Sequence, residues 1–595
     1  MGAEVVPASD HVIHEMATVL DPTHDSGVSF IPSPANPPAH PTWLNISGAP
    51  GGGAACKTPT ACPGAGSFSV SRYHLRFGDG AAPHVFDSDI VAHAACWRAA
   101  LGWSATEHAA FWEPVSPRIK AIEGLGSYSS YLGDLTDPKF AQMGYALNWD
   151  LSGRFFPYAG QFLPPVQPGD VWLNDGEGTQ PRANVSFKII DDFYTKIQGQ
   201  GFATLSYFNV FEYGENICGE YPGMAPPCAR SGVPTLGNAK HPVAHQPPPS
   251  STEPWANSTW FLLQNFPKSL VTSFDTGGHS GYRSSAPGKR GQLTTWQGGV
   301  VVDPADPKLK AHFLAQLARK YEQIPSFQGL VVDRSDWNSL YNFDFDDGAS
   351  FIDNRTAHLS QYSYLETIGA MRRMMAEKQG AMKHNETVML QNAMGFAQLS
   401  LMADFDGTFS EGGIVNSAGL LGARSTAILW TYNSAECCSS PEAADAYFQR
   451  RLYMKVFPMA PFPQADHCIA SDPKAEALYI SYGGMFTALR GAKYLLKAHA
   501  VSVSGGPAVA NAYELPHAPG SASLWAVMLG GNQSSAALTV AHLPSGEPKL
   551  EVLHPGKEHA WAALPAGAVK RAGAGGAELA VPLQQGCAMV RVAPA

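Results

Sequence analysis

Charge is scarce in this chain: Asp, Glu, Lys and Arg make up 15% of its residues, and the formal net charge is -10. No basic stretch provides a field to hold a polyanion, which excludes nucleic acid as a partner. No run of about eighteen uncharged apolar residues occurs, so no membrane span is expected. Cysteines and histidines nowhere show the ordered four-ligand spacing of a zinc site. A phosphate-cradling glycine loop and a GxSxG nucleophile elbow are also missing. Met1 to Ser47 lacks the apolar core of a signal peptide. The chain is thus cytoplasmic, or a leader and part of a first domain precede it.

What is present is bulk. The 595 residues are 45% hydrophobic and 11% aromatic, too long for one core and enough for two or three. Asn45, Asn184, Asn257, Asn354, Asn385 and Asn532 each begin an Asn-x-Ser/Thr glycan acceptor. Cys56/Cys62 and Cys218/Cys228 are close pairs in Gly/Pro-rich loops, as short disulfide loops of an exported protein would be. Unpaired thiols are the other reading, and the adjacent Cys437-Cys438 is open in the same way. These features favour a secreted, endomembrane or cell-surface glycoprotein over the cytoplasmic alternative.

The organisation divides into four parts. Residues 1–65 read as a flexible lead-in. Residues 66–125 form an accessory segment, with strand alternation from Phe68 to Phe86 and a helix from Ala92 to Trp112. Residues 126–500 alternate strands and helices. The expected strands are Tyr145–Asp150, Ala203–Phe208, Gly299–Asp303, Gly329–Val332, Thr387–Leu390, Phe405–Phe409, Ala427–Trp430 and Met459–Phe462. Phe187, Ile190, Tyr194 and Ile197 share a helical face. Another helix starts at Asp306-Pro307 and carries Leu309, Phe313, Leu317, Tyr321 and Ile324, and a third carries Leu365, Ile368, Met371 and Met375. Eight such units make a (β/α)8 TIM barrel, an α/β fold. Residues 501–595, with short alternating stretches between Gly/Pro turns, make a C-terminal antiparallel β-sandwich.

In such a barrel the strand tips share one mouth, where the chemistry sits. Asp333 ends an apolar strand and is the candidate nucleophile, with Arg334 beside it to keep it ionised. Glu411, among Phe409 and Ile414, is the candidate general acid and base. Glu436 is its main rival and Asp406 a weaker one. Two carboxyls facing each other across a pocket suit cleavage of a glycosidic bond. Asn148, Asp150, Asn209, Trp337, Asn392, Trp430, Asp466 and His467 recur at strand ends and are the candidate substrate-binding groups. Asn342 to Gly348 resembles a calcium loop, but its glycine falls one place late and no glutamate closes it. A solvated lid is the expectation there.

Leu330-Val-Val-Asp333-Arg-Ser-Asp-Trp337 and Asp406-Gly-Thr-Phe-Ser-Glu411 resemble the strand-four and strand-six acids of retaining α-glycosidase barrels. That group includes α-galactosidases, α-glucosidases and endo-α-N-acetylgalactosaminidases. The resemblance covers roughly residues 120 to 595, mostly as architecture. It implies a retaining glycoside hydrolase acting on an α-linked oligosaccharide or glycoconjugate, without cofactor, through Asp333 and Glu411. The Lys-Trp-Asp and Trp-Asn-Asp-Met signatures of two subfamilies are absent, so no sugar transfers. The alternative is a non-catalytic carbohydrate-binding or cell-surface protein on the same barrel.

Overall fold

The computed structural model describes residues 17–21, 26–32, 73–77, 122–127, 136–148, 155, 167–174, 183–213, 262, 265–269, 271–273, 291–292, 300–333, 341–348, 350–352, 355–382, 387–392, 404–410, 427–429, 441–458, 473–495, 500–504, 508–516, 522–541, 548–571 and 576–593. Its centre is a run of parallel strands laid side by side in chain order. They are β1 (Leu125–Ser127), β2 (Tyr145–Asn148), β3 (Ser206–Asn209), β4 (Gly329–Asp333), β5 (Val388–Asn392), β6 (Gly407–Ser410), β7 (Ala427–Leu429) and β8 (Phe457–Pro458). Strands β3 to β8 form one sheet of parallel pairs. β1 pairs parallel with β2. The parallel bridge Leu147↔Ala203, with Asn148 N–H donating to Ala203 O at 2.9 Å, ties β2 to the chain leading into β3. Among the described residues no ladder joins β8 to β1, although the two strands lie beside each other.

Helices α1 (Pro138–Gln142), α2 (Phe187–Gly199), α3 (Pro307–Gln323), α4 (Ser360–Met382), α5 (Pro441–Tyr453) and α6 (Pro473–Ala488) connect and cover these strands. Local chemistry sets where they begin. Ser186 accepts from Ile189 N–H at 3.3 Å and opens α2. Asp306 accepts from Lys308 N–H at 2.9 Å and opens α3, with Pro307 in its first turn. Leu309, Phe313 and Leu317 of α3 and Ile368, Met371 and Met375 of α4 pack into one core with Leu330 and Val332 of β4. Each such side chain contributes about 1.5–3 kcal/mol on burial. Alternation along the strand then sends Val331 and Asp333 to the opposite face. All five residues of β4 are buried, the pattern of a strand covered on both sides. Gly329 begins that strand at a φ of 150°, and a Cβ there would meet Val388 O at 2.0 Å. The close approach of β5 to β4 therefore requires glycine at this position.

Where β8 meets β1, a buried ion pair spans the gap. Lys455, just before β8, donates from Nζ to Glu123 Oε1 at 2.8 Å, and both side chains are fully buried. Glu123 Oε2 accepts from the N–H of Gly491, beyond α6. Arg490 reaches Gly144 O at 2.7 Å, in front of β2. Burial pulls the Lys455 ammonium below its usual range, and the Glu123 charge and hydrogen bond oppose that pull. These groups all lie at the amino ends of the strands, opposite the end that carries Asp333.

Lys493–Tyr494 and the described residues from 500 onward make two antiparallel sheets enclosing a core that includes Ala526, Met528, Leu538, Val540, Leu579, Val581, Val590 and Val592. They dock on α5 and α6. Asn511 Nδ2 donates to Tyr453 O at 2.8 Å, Tyr513 O–H donates to the same carbonyl, and Gly556 N–H donates to Ser481 O at 2.9 Å.

Several expected elements shift. Gly299–Asp303 is not a parallel strand: Val300–Val301 pairs antiparallel with Glu212–Tyr213, off the central sheet. Tyr145–Asn148 is preceded by the parallel strand Leu125–Ser127, which straddles the expected domain boundary. The last strand is Phe457–Pro458, ahead of Met459–Phe462, which lies outside the described residues. Ala17–Asp21 and Ser26–Pro32 form an antiparallel sheet with Tyr73–Phe77, so part of the expected lead-in is paired. The expected helix Ala92–Trp112 lies outside the described residues.

Candidate active site

Asp333 is the last residue of β4 and is 5% exposed. The parallel ladder sets Val331 beside Tyr207 and Asp333 beside Asn209, so these four share the face turned away from the helices. Tyr207 O–H donates to Asp333 Oδ2 at 2.5 Å, and the phenol is 2% exposed. A hydrogen bond to a buried carboxylate is worth roughly 1.5–3 kcal/mol to the charged form. Asn209 Oδ1 accepts from Phe211 N–H at 2.9 Å. Part of that side chain therefore turns the backbone out of β3 rather than meeting a ligand.

Polar residues end four neighbouring strands: Asn148 on β2, Asn209 on β3, Asp333 on β4 and Asn392 on β5. Asn148 is buried. Asn392 is aligned with Phe409 of β6, two residues short of Glu411. Glu411 itself, its rival Glu436, and Asp150, Arg334, Trp337, Trp430, Asp466 and His467 lie outside the described residues, as do the paired cysteines. Cys587 is a buried free thiol.

Asp406 is the acid candidate the structure removes. It is fully buried at the amino end of β6, where Arg372 of α4 binds both its oxygens at 2.9 and 3.0 Å. Met389 N–H donates to Oδ2 at 2.8 Å as well. Its hydrogen-bonding capacity goes to holding α4 on β5 and β6, away from the carboxyl ends of the strands.

The connection after β4 also proves to be built from acids serving backbone. Asp347 accepts from Ser350 N–H at 2.6 Å and Leu359 N–H at 2.8 Å. Asp346 accepts from Gly348 N–H at 2.8 Å, and Asn342 accepts from Asp344 N–H at 3.0 Å. These turns put Asn342, Asp346 and Asp347 to work as acceptors for the loop's own backbone. Among the described residues no group of three His, Cys, Asp or Glu could hold a metal. The connection is anchored by Asp303, which is fully buried and bound to His358 Nδ1 at 3.0 Å and to the Ser363 hydroxyl. Burial alone would lower the His358 imidazole, but the Asp303 hydrogen bond and charge, with Asp347 and Glu366 beyond, raise it above its ordinary value. Asp303 and His358 thus clamp the segment before α3 to the strand before α4.

Tyr207 escaped the sequence reading. A tyrosine inside an apolar strand looks like a strand former, and only the β3–β4 register reveals that it shares a face with Asp333.

No family model matches the chain, and no curated protein matches it. Solved structures to which it is similar include a Paenibacillus sp. cycloisomaltooligosaccharide glucanotransferase complexed with cycloisomaltoheptaose, at 8% identity over 80% of this chain and 85% of that chain, TM-score 0.45. An alpha-amylase from H. orenii is 9% identical over 80% of this chain and 98% of that chain, TM-score 0.40. A GH27 β-L-arabinopyranosidase from Geobacillus stearothermophilus is 9% identical over 81% and 99%, TM-score 0.37. At these identities and scores the likeness assigns no residue of the site.

Proposed function

We propose that this chain is a retaining glycoside hydrolase acting on an α-linked glycoside, built on a (β/α)8 barrel that closes between β8 and β1. The observation that carries the reading is Asp333. It is a buried carboxylate at the carboxyl end of β4, on the face away from the helices, with a phenol donating to it. Asn148, Asn209 and Asn392 end the neighbouring strands β2, β3 and β5, which supports a polar set of strand tips beside it. The Glu123–Lys455 pair supports closure, because it holds the start of β8 against the start of β1.

In this scheme an Asp333 oxygen attacks the anomeric carbon while the Glu411 carboxyl protonates the departing glycosidic oxygen. The two carboxyls then stand about 5–5.5 Å apart, the spacing double displacement needs. Glu411, now a carboxylate, takes a proton from water as the water oxygen displaces Asp333 from the sugar. Two inversions leave the anomeric configuration as it began. The scheme uses carboxyls alone and calls on no cofactor. Arg334, Trp337, Asn392, Trp430, Asp466 and His467 are assigned to the sugar, together with Asn148 and Asp150.

The test is product stereochemistry. Aryl α-glycosides of common hexoses and N-acetylhexosamines are offered to the full chain, and the first product is followed by proton NMR. The α-anomer should appear before mutarotation supplies the β-anomer. A β-anomer appearing first would refute double displacement, and binding without turnover across the panel would favour a carbohydrate-binding protein.

A further inference from the structure

We infer that Tyr207 is a positioning residue for Asp333, a proton donor that never gives up its proton and that eases the departure of Asp333 from the sugar. The inference rests on the glycosidase reading and adds a group that reading does not require. Three observations carry it. The phenol and carboxylate are both buried, at 2% and 5% exposure, so water does not substitute for either. The Tyr207 hydroxyl donates directly to Asp333 Oδ2, with no group between them. Both side chains hang from adjacent strands whose ladder fixes Tyr207 opposite Val331 and Asn209 opposite Asp333. The pair is thus held by two backbones and does not depend on a loop.

The chemistry follows from where charge sits. In the resting enzyme the phenol donates to the Asp333 carboxylate. When the first step forms the bond from Asp333 to the anomeric carbon and breaks the bond to the leaving oxygen, Glu411 supplies the proton and Tyr207 keeps its own. The resulting ester carries little charge, so the Tyr207 hydrogen bond weakens there. In the second step water attacks, Glu411 takes a water proton, and negative charge returns to the Asp333 carboxylate. The phenol's hydrogen bond strengthens as that bond breaks, an interaction stronger in the transition state than in the intermediate before it. Removing the hydroxyl therefore slows release of the sugar more than its capture.

The experiment is Tyr207→Phe in the full chain, assayed with an activated aryl glycoside for which sugar release limits turnover. The expected result is a kcat lower by roughly 10–100-fold, the effect of one hydrogen bond to a charged group. KM should fall with it, because the glycosyl-enzyme accumulates, and a burst of released phenol should precede the steady state. The fall in kcat/KM, which reports capture of the sugar, should be smaller than the fall in kcat. A variant with a lower melting temperature but an unchanged KM, its kcat and kcat/KM falling together, would mean a structural role only, and would overturn the inference. Should the phenylalanine variant fail to fold, a ring-fluorinated tyrosine at position 207 keeps size and hydrogen bond while making the phenol a stronger donor. It should then speed sugar release and raise kcat, and an unchanged kcat would overturn the inference equally. Wild-type turnover with sugar captured on Asp333, alongside an unaffected Tyr207→Phe, sinks this proposal alone. Capture of sugar on some other residue sinks the glycosidase assignment of Asp333, and this proposal falls with it.

Discussion

Asp333→Asn is expected to lower turnover by on the order of 10⁴-fold or more while leaving the fold in place. Asparagine has nearly the same volume and keeps an oxygen for the Tyr207 hydroxyl, so the buried contact at 2.5 Å need not be lost. What disappears is the negative charge and with it the capacity to form the ester. The measurement is kcat on an activated substrate, with the circular dichroism melt as control. A variant retaining a tenth or more of wild-type turnover, with a normal melt, would show that the nucleophile is elsewhere. Azide should not rescue the loss, because the asparagine side chain still fills the space from which an external nucleophile would attack the anomeric carbon.

Glu123→Ala carries the second large effect, on stability rather than chemistry. It leaves the Lys455 ammonium buried without its carboxylate and removes the acceptor of the Gly491 N–H as well. Breaking one partner out of a buried pair costs about 3–5 kcal/mol, a large share of the roughly 5–15 kcal/mol that holds a domain folded. Chemical denaturation should show the midpoint falling with the transition still cooperative. Pairing Glu123→Leu with Lys455→Met should recover part of the loss, because the Lys455 charge is then gone and only Arg490, which the Glu123 charge also favours, is left without it. A loss under about 1 kcal/mol in the single variant would mean that water reaches the pair. The start of β8 would then not be sealed against the start of β1.

The sequence shows best what chemistry acts on locally. The five-residue apolar strand ending in Asp333 was legible because parallel strands covered on both faces lose the alternating pattern. The starts of α2 and α3 were legible because Ser186, Asp306 and Pro307 act within a few residues. Gly299–Asp303 shows where this stops. Its Val-Val-Val-Asp resembles Leu-Val-Val-Asp of β4, yet it pairs antiparallel with Glu212–Tyr213. A run of valines states that a strand will form and says nothing about the direction of its partner. Leu125–Ser127 and Phe457–Pro458 were hidden for the opposite reason. Strands of three and two residues, with a glycine in one and a proline in the other, give no period to detect.

At the site the same division holds. Position at a strand tip could be read from the chain, and Asp333 was found that way. Partnership could not, since Tyr207 lies 126 residues from Asp333 and meets it only through the β3–β4 ladder. Asp406 illustrates the reverse error. In sequence it is an acid near a strand end, but that end is the amino one, and Arg372 on α4 claims both oxygens. Which end of a strand an acid occupies is a matter of chain direction, and it separates the acids that hold this fold from the acid assigned to its chemistry.

The most direct test is to trap the sugar. The full chain is incubated with an activated fluoro-glycoside that forms the ester quickly and releases it slowly, then digested and analysed by mass spectrometry. The mass of one glycosyl group on the peptide carrying Asp333, absent from Asp333→Asn, is the result expected. The same adduct on any other carboxylate, in a protein that turns the substrate over, would contradict it.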